Sequence, residues 1–368
     1  MIDSFDAAIV GGGPAGAAAA LALARGGRRA VVIEASAYGG FRVGETVPAG
    51  LRAVLRDLGA WETFAAAGHL PSAGNASAWG SGDLGVRDSL FDVQGSGWHL
   101  DRARFDADLA AEAERAGAFI RTRTRLTGCA RQGHGWSLDL QTPDGPRRIN
   151  APFLIDATGR AAFVARRCGA RRLHRDRLVA AFAVFAWPEE PGHLHTLVEA
   201  AEDGWWYAAR LPDDQAMVSW MSDSDLVHRA GLHQRGPWTE KLGRTRYVRE
   251  MLAGASLHSD VAVRSAASHG LDRAAGEGWL AVGDAASAFD PLTSAGIVAG
   301  LRSGLEAATA VDRCLGGDGA ALDSYDGRLR TRFHQYLQGR REQYAREGRW
   351  PESPFWRRRS AAPADSTH

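Results

Sequence analysis

The stretch that most restricts what this chain can fold into is FDAAIVGGGPAGAAAALALARGGRRAVVIEAS, at residues 5–36. Ala7–Val10 is an apolar run that predicts a buried strand, and Gly11-Gly12-Gly13-Pro14-Ala15-Gly16 predicts a tight turn. Ala15–Arg25 predicts an alanine-rich helix, Ala30–Ile33 a second buried strand, and Glu34 closes that strand with an acid. Strand, G-x-G-x-x-G, helix, strand and acid, in this order and within about 30 residues, form the fingerprint of a βαβ dinucleotide site. Gly11 allows the turn, Gly13 lets the backbone approach a pyrophosphate, and Gly16 lets the helix lie close to the sheet. Pro14 suits the first helical turn, where its missing N–H costs nothing. The helix start offers N–H groups and a positive dipole end to phosphates, and Glu34 stands where the adenosine ribose hydroxyls are taken.

The motif alone does not separate NAD from FAD, but a second stretch, AVGDAASAFDPLTSAGI at 281–297, favours FAD. A strand over Trp279–Val282 delivers Gly283-Asp284, an acid suited to ribityl hydroxyls or a water-bridged pyrophosphate. The small residues that follow let an isoalloxazine ring lie against backbone. A helix from about Ala295 aims its positive end at the ring edge where reduced flavin carries negative charge.

With both signatures in hand, the chain resembles the class A, glutathione-reductase-type flavoprotein monooxygenases and the halogenase-like superfamily around them. That family pairs N-terminal GxGxxG with a late GDxxxxxxP element, matched by Gly283, Asp284 and Pro291, and with a middle DxxGR element, matched by Asp156-Ala157-Thr158-Gly159-Arg160. The segment at 100–118 is similar to its RxxFD helix start, and FRVGETVP at 41–48 to the GE-x-x-P entry of halogenases and related reductases. The resemblance implies an α/β fold: a Rossmann-like FAD-binding domain with an inserted β-sheet substrate domain and a C-terminal helical tail. The cofactor contacts it implies are Gly11, Gly13, Pro14, Ala15, Gly16, Glu34, Ala35, Arg42, Gly44, Glu45, Arg102, Leu126, Gly283, Asp284, Pro291, Ser294, Ala295, Gly296 and Ile297. Arg102 would reach the flavin phosphate or ribityl region, and the strand at 121–130 would contact adenine near Leu126.

A chain of 368 residues exceeds what one hydrophobic core usually supports. The flavin domain is therefore expected to be discontinuous, over 1–70, 100–178 and 262–320. A substrate domain is expected over 71–99 and 179–261, a helical segment over 321–360 and a disordered tail over 361–368. Lys+Arg 44 against Asp+Glu 43 argues against a nucleic-acid or membrane-surface partner. The 3 cysteines lack a CxxC, so neither a disulfide framework nor a zinc site is suggested. No segment reaches the ~18–20 apolar residues of a membrane span. The expectation is a cytoplasmic monomer or weak homodimer.

The substrate side holds many of the 12 tryptophans. Adjacent aromatics in GWWYAARLP point to opposite faces of a strand, so one of the sets Trp205/Tyr207 and Trp206 is expected to face a cavity, with Trp79 beside it. Halogenases of the family carry a lysine in the early region around 75–82 and a glutamate after Pro-Leu. Here the only lysine of the chain is Lys241 and Thr293 follows Pro291-Leu292. The chain is most similar to the LodB/GoxB/QhpG-type subgroup, associated with hydroxylating tryptophan within a peptide or protein. That resemblance implies attack of an electron-rich ring on a flavin C4a-hydroperoxide formed from O2. NAD(P)H or a separate flavin reductase supplies the electrons, since no second GxGxxG exists. Pro291, Leu292, Thr293 and Ser294 would form the flavin-face loop without an obligatory acid or base; His99 reads as a structural histidine or as a further active-site group. The expected substrate is a peptide, a protein or a small aromatic, the alternatives being a flavin-dependent halogenase or a non-catalytic flavin-bearing maturation factor. His193-x-His195 lacks a third ligand, so no metal is expected, and Arg357–Arg359 reads as a solvated tail or a grip for an acidic partner.

Overall fold

The computed structural model describes residues 3–89, 95–187 and 194–360, so the expectation of a disordered tail over 361–368 lies outside the described residues. Ala7–Val10, Ala30–Ile33 and Phe153–Asp156 are strands in which every residue is buried. Unbroken burial is what a parallel sheet covered on both faces demands, since neither set of alternate side chains meets water. These strands lie in a sheet whose order runs Ala275–Gly276, Trp279–Ala281, Phe153–Asp156, Ala7–Val10, Ala30–Ile33, Phe119–Arg121. All neighbours are parallel except the first pair, with Ile9 opposite both Ile155 and Val32. One face packs on the helices Pro14–Arg25, Arg102–Arg115 and Gly296–Leu315. Against the other lies an antiparallel sheet of Arg125–Gln132, Gly135–Thr142 and Gly145–Ala151. The α/β, Rossmann-like reading is borne out.

The chain divides into two compact units, one formed from 1–69, 101–174 and 269–333, the other from 70–100, 175–268 and 334–368. The dinucleotide sheet belongs to the first. The boundary between the units falls within the residues of the helix Ala321–Ala345.

The second unit is built on a sheet of eight strands, in which Leu178–Ala186, Gln215–Asp223, Gly204–Leu211 and His195–Ala201 run antiparallel in turn. The strand Gly204–Leu211 shows how alternation divides its aromatics. Trp206 faces a core with Trp220, Trp238 and Phe185, closed by the short helices Ser224–Arg229, Arg235–Gly243 and Tyr247–Met251. Trp205 faces the opposite way, where its indole N–H donates to the Tyr344 hydroxyl at 3.0 Å. The chain end closes that second face: Trp79 donates to the Gln343 carbonyl at 3.0 Å and Trp356 to the Ala201 carbonyl at 3.0 Å. Arg359 is buried on Asp223 at 2.8 Å, and Arg358 pairs with Asp223 at 2.7 Å and Asp225 at 2.9 Å. The reading of Arg357–Arg359 as a solvated tail is corrected for Arg359, because buried Asp223 needs its charge, while Arg357 and Arg358 stay exposed. Among the described residues no helix is long and apolar enough to cross a membrane.

Candidate functional site

The glycine-rich turn is shaped by contacts that leave no room for side chains. Gly11 has φ +106°, and a Cβ there would meet the Ala157 carbonyl oxygen at 2.2 Å; one at Gly16 would meet the Gly11 oxygen at 2.0 Å. Gly13, by contrast, faces open space, with nothing within 4 Å of an added Cβ. The helix Pro14–Arg25 starts with no side-chain cap and no acid in its first turn. Free N–H groups beside a bare glycine are a cradle for phosphate oxygens. Glu34 is fixed next to it, one carboxylate oxygen accepting from Gly12 N and the other from Ser36 N, both at 2.7 Å. Ala35 is exposed beside it, and Leu126 lies at a register shift in the neighbouring antiparallel sheet.

The late Gly-Asp turn is brought to the same place. Gly283 has φ +55°, and a Cβ there would meet the Ala15 Cβ at 2.8 Å. The approach is set by the helix Gly296–Leu315, whose Gly304 lies so close to the first helix that a Cβ would stand 2.3 Å from the Ala15 oxygen and 2.9 Å from the Ala18 Cβ. Ser303 in that helix accepts from Gly283 N at 2.8 Å and fixes the turn. Sequence reasoning did not single out Ser303 or Gly304, although glycine at 296, 300 and 304 is a legible stripe of close packing.

The Asp284 side chain is partly accessible, at 38%. Its carboxyl stands above the ordinary range because burial outweighs Arg160 and Arg102, with Arg160 Nε 3.4 Å away. Buried His269 hydrogen-bonds the Asp284 carbonyl oxygen at 3.1 Å, and burial next to Arg160 lowers its pKa to about 4. Beyond the turn, Pro291–Thr293 forms one 3-10 turn capped by Asp290, which accepts from Leu292 N at 3.0 Å. Thr293 is exposed and its hydroxyl donates to the Asp290 carbonyl at 3.2 Å; Ser294 holds the left-handed conformation at φ +47°. Ala295, Gly296 and Ile297 follow at the start of a helix with no side-chain cap.

Arg102 and Arg42 form one network on the rim. Asp106, fully buried, accepts from Arg42 at 2.7 Å and from Arg102 at 3.2 Å. Arg102 also donates to the carbonyls of Val43 at 2.6 Å and Gly44 at 3.1 Å, so it holds the 43–44 turn, while Glu45 accepts from Gly44 N at 2.8 Å. Arg102 Nε and the Tyr38 hydroxyl are buried without a hydrogen-bond partner among the described residues. A bare glycine turn at an uncapped helix start, a buried acid fixed beside it and two orphaned polar atoms fit a dinucleotide cofactor. When bound there, Gly13, the first turn of the helix Pro14–Arg25, Glu34 and the Gly283-Asp284 turn would hold it.

The candidates in the second unit fare differently. His99 is fully buried, bonds the Leu194 carbonyl at 3.2 Å, and is held neutral by burial, with its pKa lowered to about 4. A ring with no accessible surface does not touch a substrate in this conformation, which favours the structural reading of His99 over the active-site one. The same holds for Trp205 and Trp206, at 0% and 1% exposure: both face closed cores and not a cavity. Tyr207 is buried at 8%, and Trp79 is half-buried among Trp205, Tyr344 and Trp356. His193 lies outside the described residues, and no group of three metal-ligating side chains occurs among those described.

A βαβ phosphate loop joined through a glycine helix to a late Gly-Asp turn defines a flavoprotein fold. The chain belongs to the family described as FAD binding domain, whose model matches residues 4–339. It is 31% identical over 366 residues to the FAD-dependent oxidoreductase LodB of Marinomonas mediterranea, covering 98% of each chain. Among solved structures it is similar to the flavin-dependent halogenase CmlS, at 25% identity and TM-score 0.88 over 99% of this chain and 69% of that one. It is also similar to the peptidyl tryptophan dihydroxylase QhpG, at 28% identity and TM-score 0.74 over 98% of this chain and 79% of that one.

Proposed function

We propose that this protein is an FAD-dependent monooxygenase that hydroxylates an electron-rich aromatic ring, the indole of tryptophan within a peptide or protein above all. The bound flavin, reduced by NAD(P)H or by a partner reductase, supplies oxygen activation. The chain's own part is to hold and to exclude. The uncapped helix start at Gly296 offers N–H groups to developing negative charge. The 291–294 turn presents small side chains and no acid or base, which suits an indole, since that ring needs no deprotonation to react. Asp290 is buried at 1% and caps this turn, so its role is positioning.

The observation that carries the choice of hydroxylation is the state of the two halogenase positions. Where halogenases of the superfamily carry a glutamate, Thr293 offers only a hydroxyl already donated to the Asp290 carbonyl. The sole lysine, Lys241, is tied to Asp203 at 2.7 Å and lies 4.3 Å over the Trp220 ring. Similarity to QhpG supports the tryptophan reading; similarity to CmlS favours halogenation as the second reading. Reduced flavin, O2, chloride or bromide and tryptophan-containing peptides, followed by mass spectrometry, separate the two. Gain of one oxygen atom supports the proposal, and replacement of hydrogen by halogen refutes it.

A further inference from the structure

We propose that Tyr38 contacts the cofactor, its hydroxyl donating a hydrogen bond to an oxygen of the adenosine–pyrophosphate half of FAD. The inference rests on the FAD site alone and is independent of which reaction the flavin performs. Tyr38 lies in the turn after the Glu34 strand, outside every motif that points to the cofactor. Its hydroxyl oxygen stands 2.2 Å from where a Cβ on Gly12 would be, and its ring carbon Cζ 3.1 Å from the same point. The ring therefore closes directly over the glycine-rich turn. Glu34 and Ser36 anchor the approach: the Ser36 hydroxyl accepts from Tyr38 N at 3.2 Å and from Arg42 at 2.7 Å, and Arg42 lies 5.8 Å from the Tyr38 ring.

Two features of this residue stay uncompensated within the chain. The backbone sits at φ +61°, a left-handed conformation that a tyrosine rarely adopts. The hydroxyl is enclosed, with the residue at 9% exposure, and has no hydrogen-bond partner among the described residues. Strained backbone and an unpaired buried donor persist together where surrounding structure holds a side chain ready for a ligand. The ligand's chemistry follows from the surroundings. Burial and the negative charge of Glu34 and Asp106 keep the phenol protonated and raise its pKa, so it donates. Its neighbours Gly12 and Glu34 belong to the end of the site that receives the adenosine ribose and pyrophosphate, both rich in acceptor oxygens.

The test compares the full chain with Tyr38→Phe, each stripped of flavin, by calorimetric titration with FAD and with ADP and by thermal unfolding of the flavin-free protein. A hydrogen bond of ordinary worth predicts that Tyr38→Phe loses about 5- to 10-fold in affinity for FAD. The same factor is expected for ADP, which carries the half in question. The flavin-free variant is expected to unfold at the wild-type temperature or above it, because the lost hydroxyl had no partner. Equal FAD affinity in the two proteins overturns the proposal. So does a weaker variant whose flavin-free form is also less stable, since that is the mark of a packing role. A wild type that binds neither FAD nor ADP overturns the cofactor site itself, whereas a product without added oxygen leaves Tyr38 untouched and removes only the hydroxylase reading.

Discussion

Gly304→Ala tests how the two halves of the flavin signature are held together. The added methyl would stand 2.3 Å from the Ala15 oxygen, 2.9 Å from the Ala18 Cβ and 3.0 Å from the Ala19 nitrogen. None of these atoms is the end of a flexible side chain, so the helices Pro14–Arg25 and Gly296–Leu315 must move apart. Overpacking of this kind costs about 1–3 kcal/mol, and the better helix propensity of alanine offsets roughly 1 kcal/mol of it. A net loss on the order of 1 kcal/mol lowers the unfolding midpoint by about 2–4 °C in a unit of this size. Ala15 also touches Gly283, so the displacement spreads to the Gly-Asp turn and FAD affinity is expected to fall severalfold. Gly327→Ala is the internal control: it lies in the helix Ala321–Ala345 with nothing within 4 Å of the new methyl, and should gain up to roughly 1 kcal/mol. Thermal unfolding and fluorescence of released FAD read both effects. If Gly304→Ala is as stable as wild type, or gains like Gly327→Ala, the close packing inferred here is wrong.

Ser303→Ala leaves Gly283 N without its 2.8 Å partner and is expected to weaken FAD retention while catalysis by the flavin that remains is little changed, read by equilibrium dialysis. Buried His99, with its pKa lowered to about 4 against about 6.5 unfolded, makes stability present above pH 6.5 fall as pH drops toward 4, by about 3 kcal/mol. Urea midpoints across that window should show the decline, and His99→Gln should make it shallower by the His99 share, since His69 and His269 have the same lowered value; an unchanged slope refutes the assignment. Asp223→Ala strands Arg359, buried at 6% exposure, and should cost about 3 kcal/mol by urea unfolding. Lys241→Met should leave product formation intact in the mass-spectrometric assay, whereas its abolition would favour halogenation.

The flavin site was largely legible because its demands are local. A phosphate loop needs glycine at set spacings between a buried strand and a helix, and those residues are neighbours in sequence. The Gly-Asp turn was legible for the same reason, and the helix beginning at Gly296 follows it directly. Tyr38 was not legible: a tyrosine two residues past a serine carries no pattern, and only its left-handed backbone and unpaired hydroxyl mark it. Arg102 was legible as a candidate, but its bonds to the 43–44 carbonyls depend on partners far away in the chain.

The aromatic strand draws the line most sharply. Alternation in GWWYAARLP determined that Trp205 and Trp206 part to opposite faces, because side chains on a strand must alternate. It did not determine what covers each face. Tertiary structure decided that, laying the short helices over Trp206 and the C-terminal helices with Tyr344 and Trp356 over Trp205, so both rings became core. The arginines near the chain end follow the same logic, since a charge run reads as solvated until a buried carboxylate such as Asp223 claims it. Sequence determines what a segment can be by itself; burial is a property of partners, and those of Trp205 and Asp223 lie more than a hundred residues away.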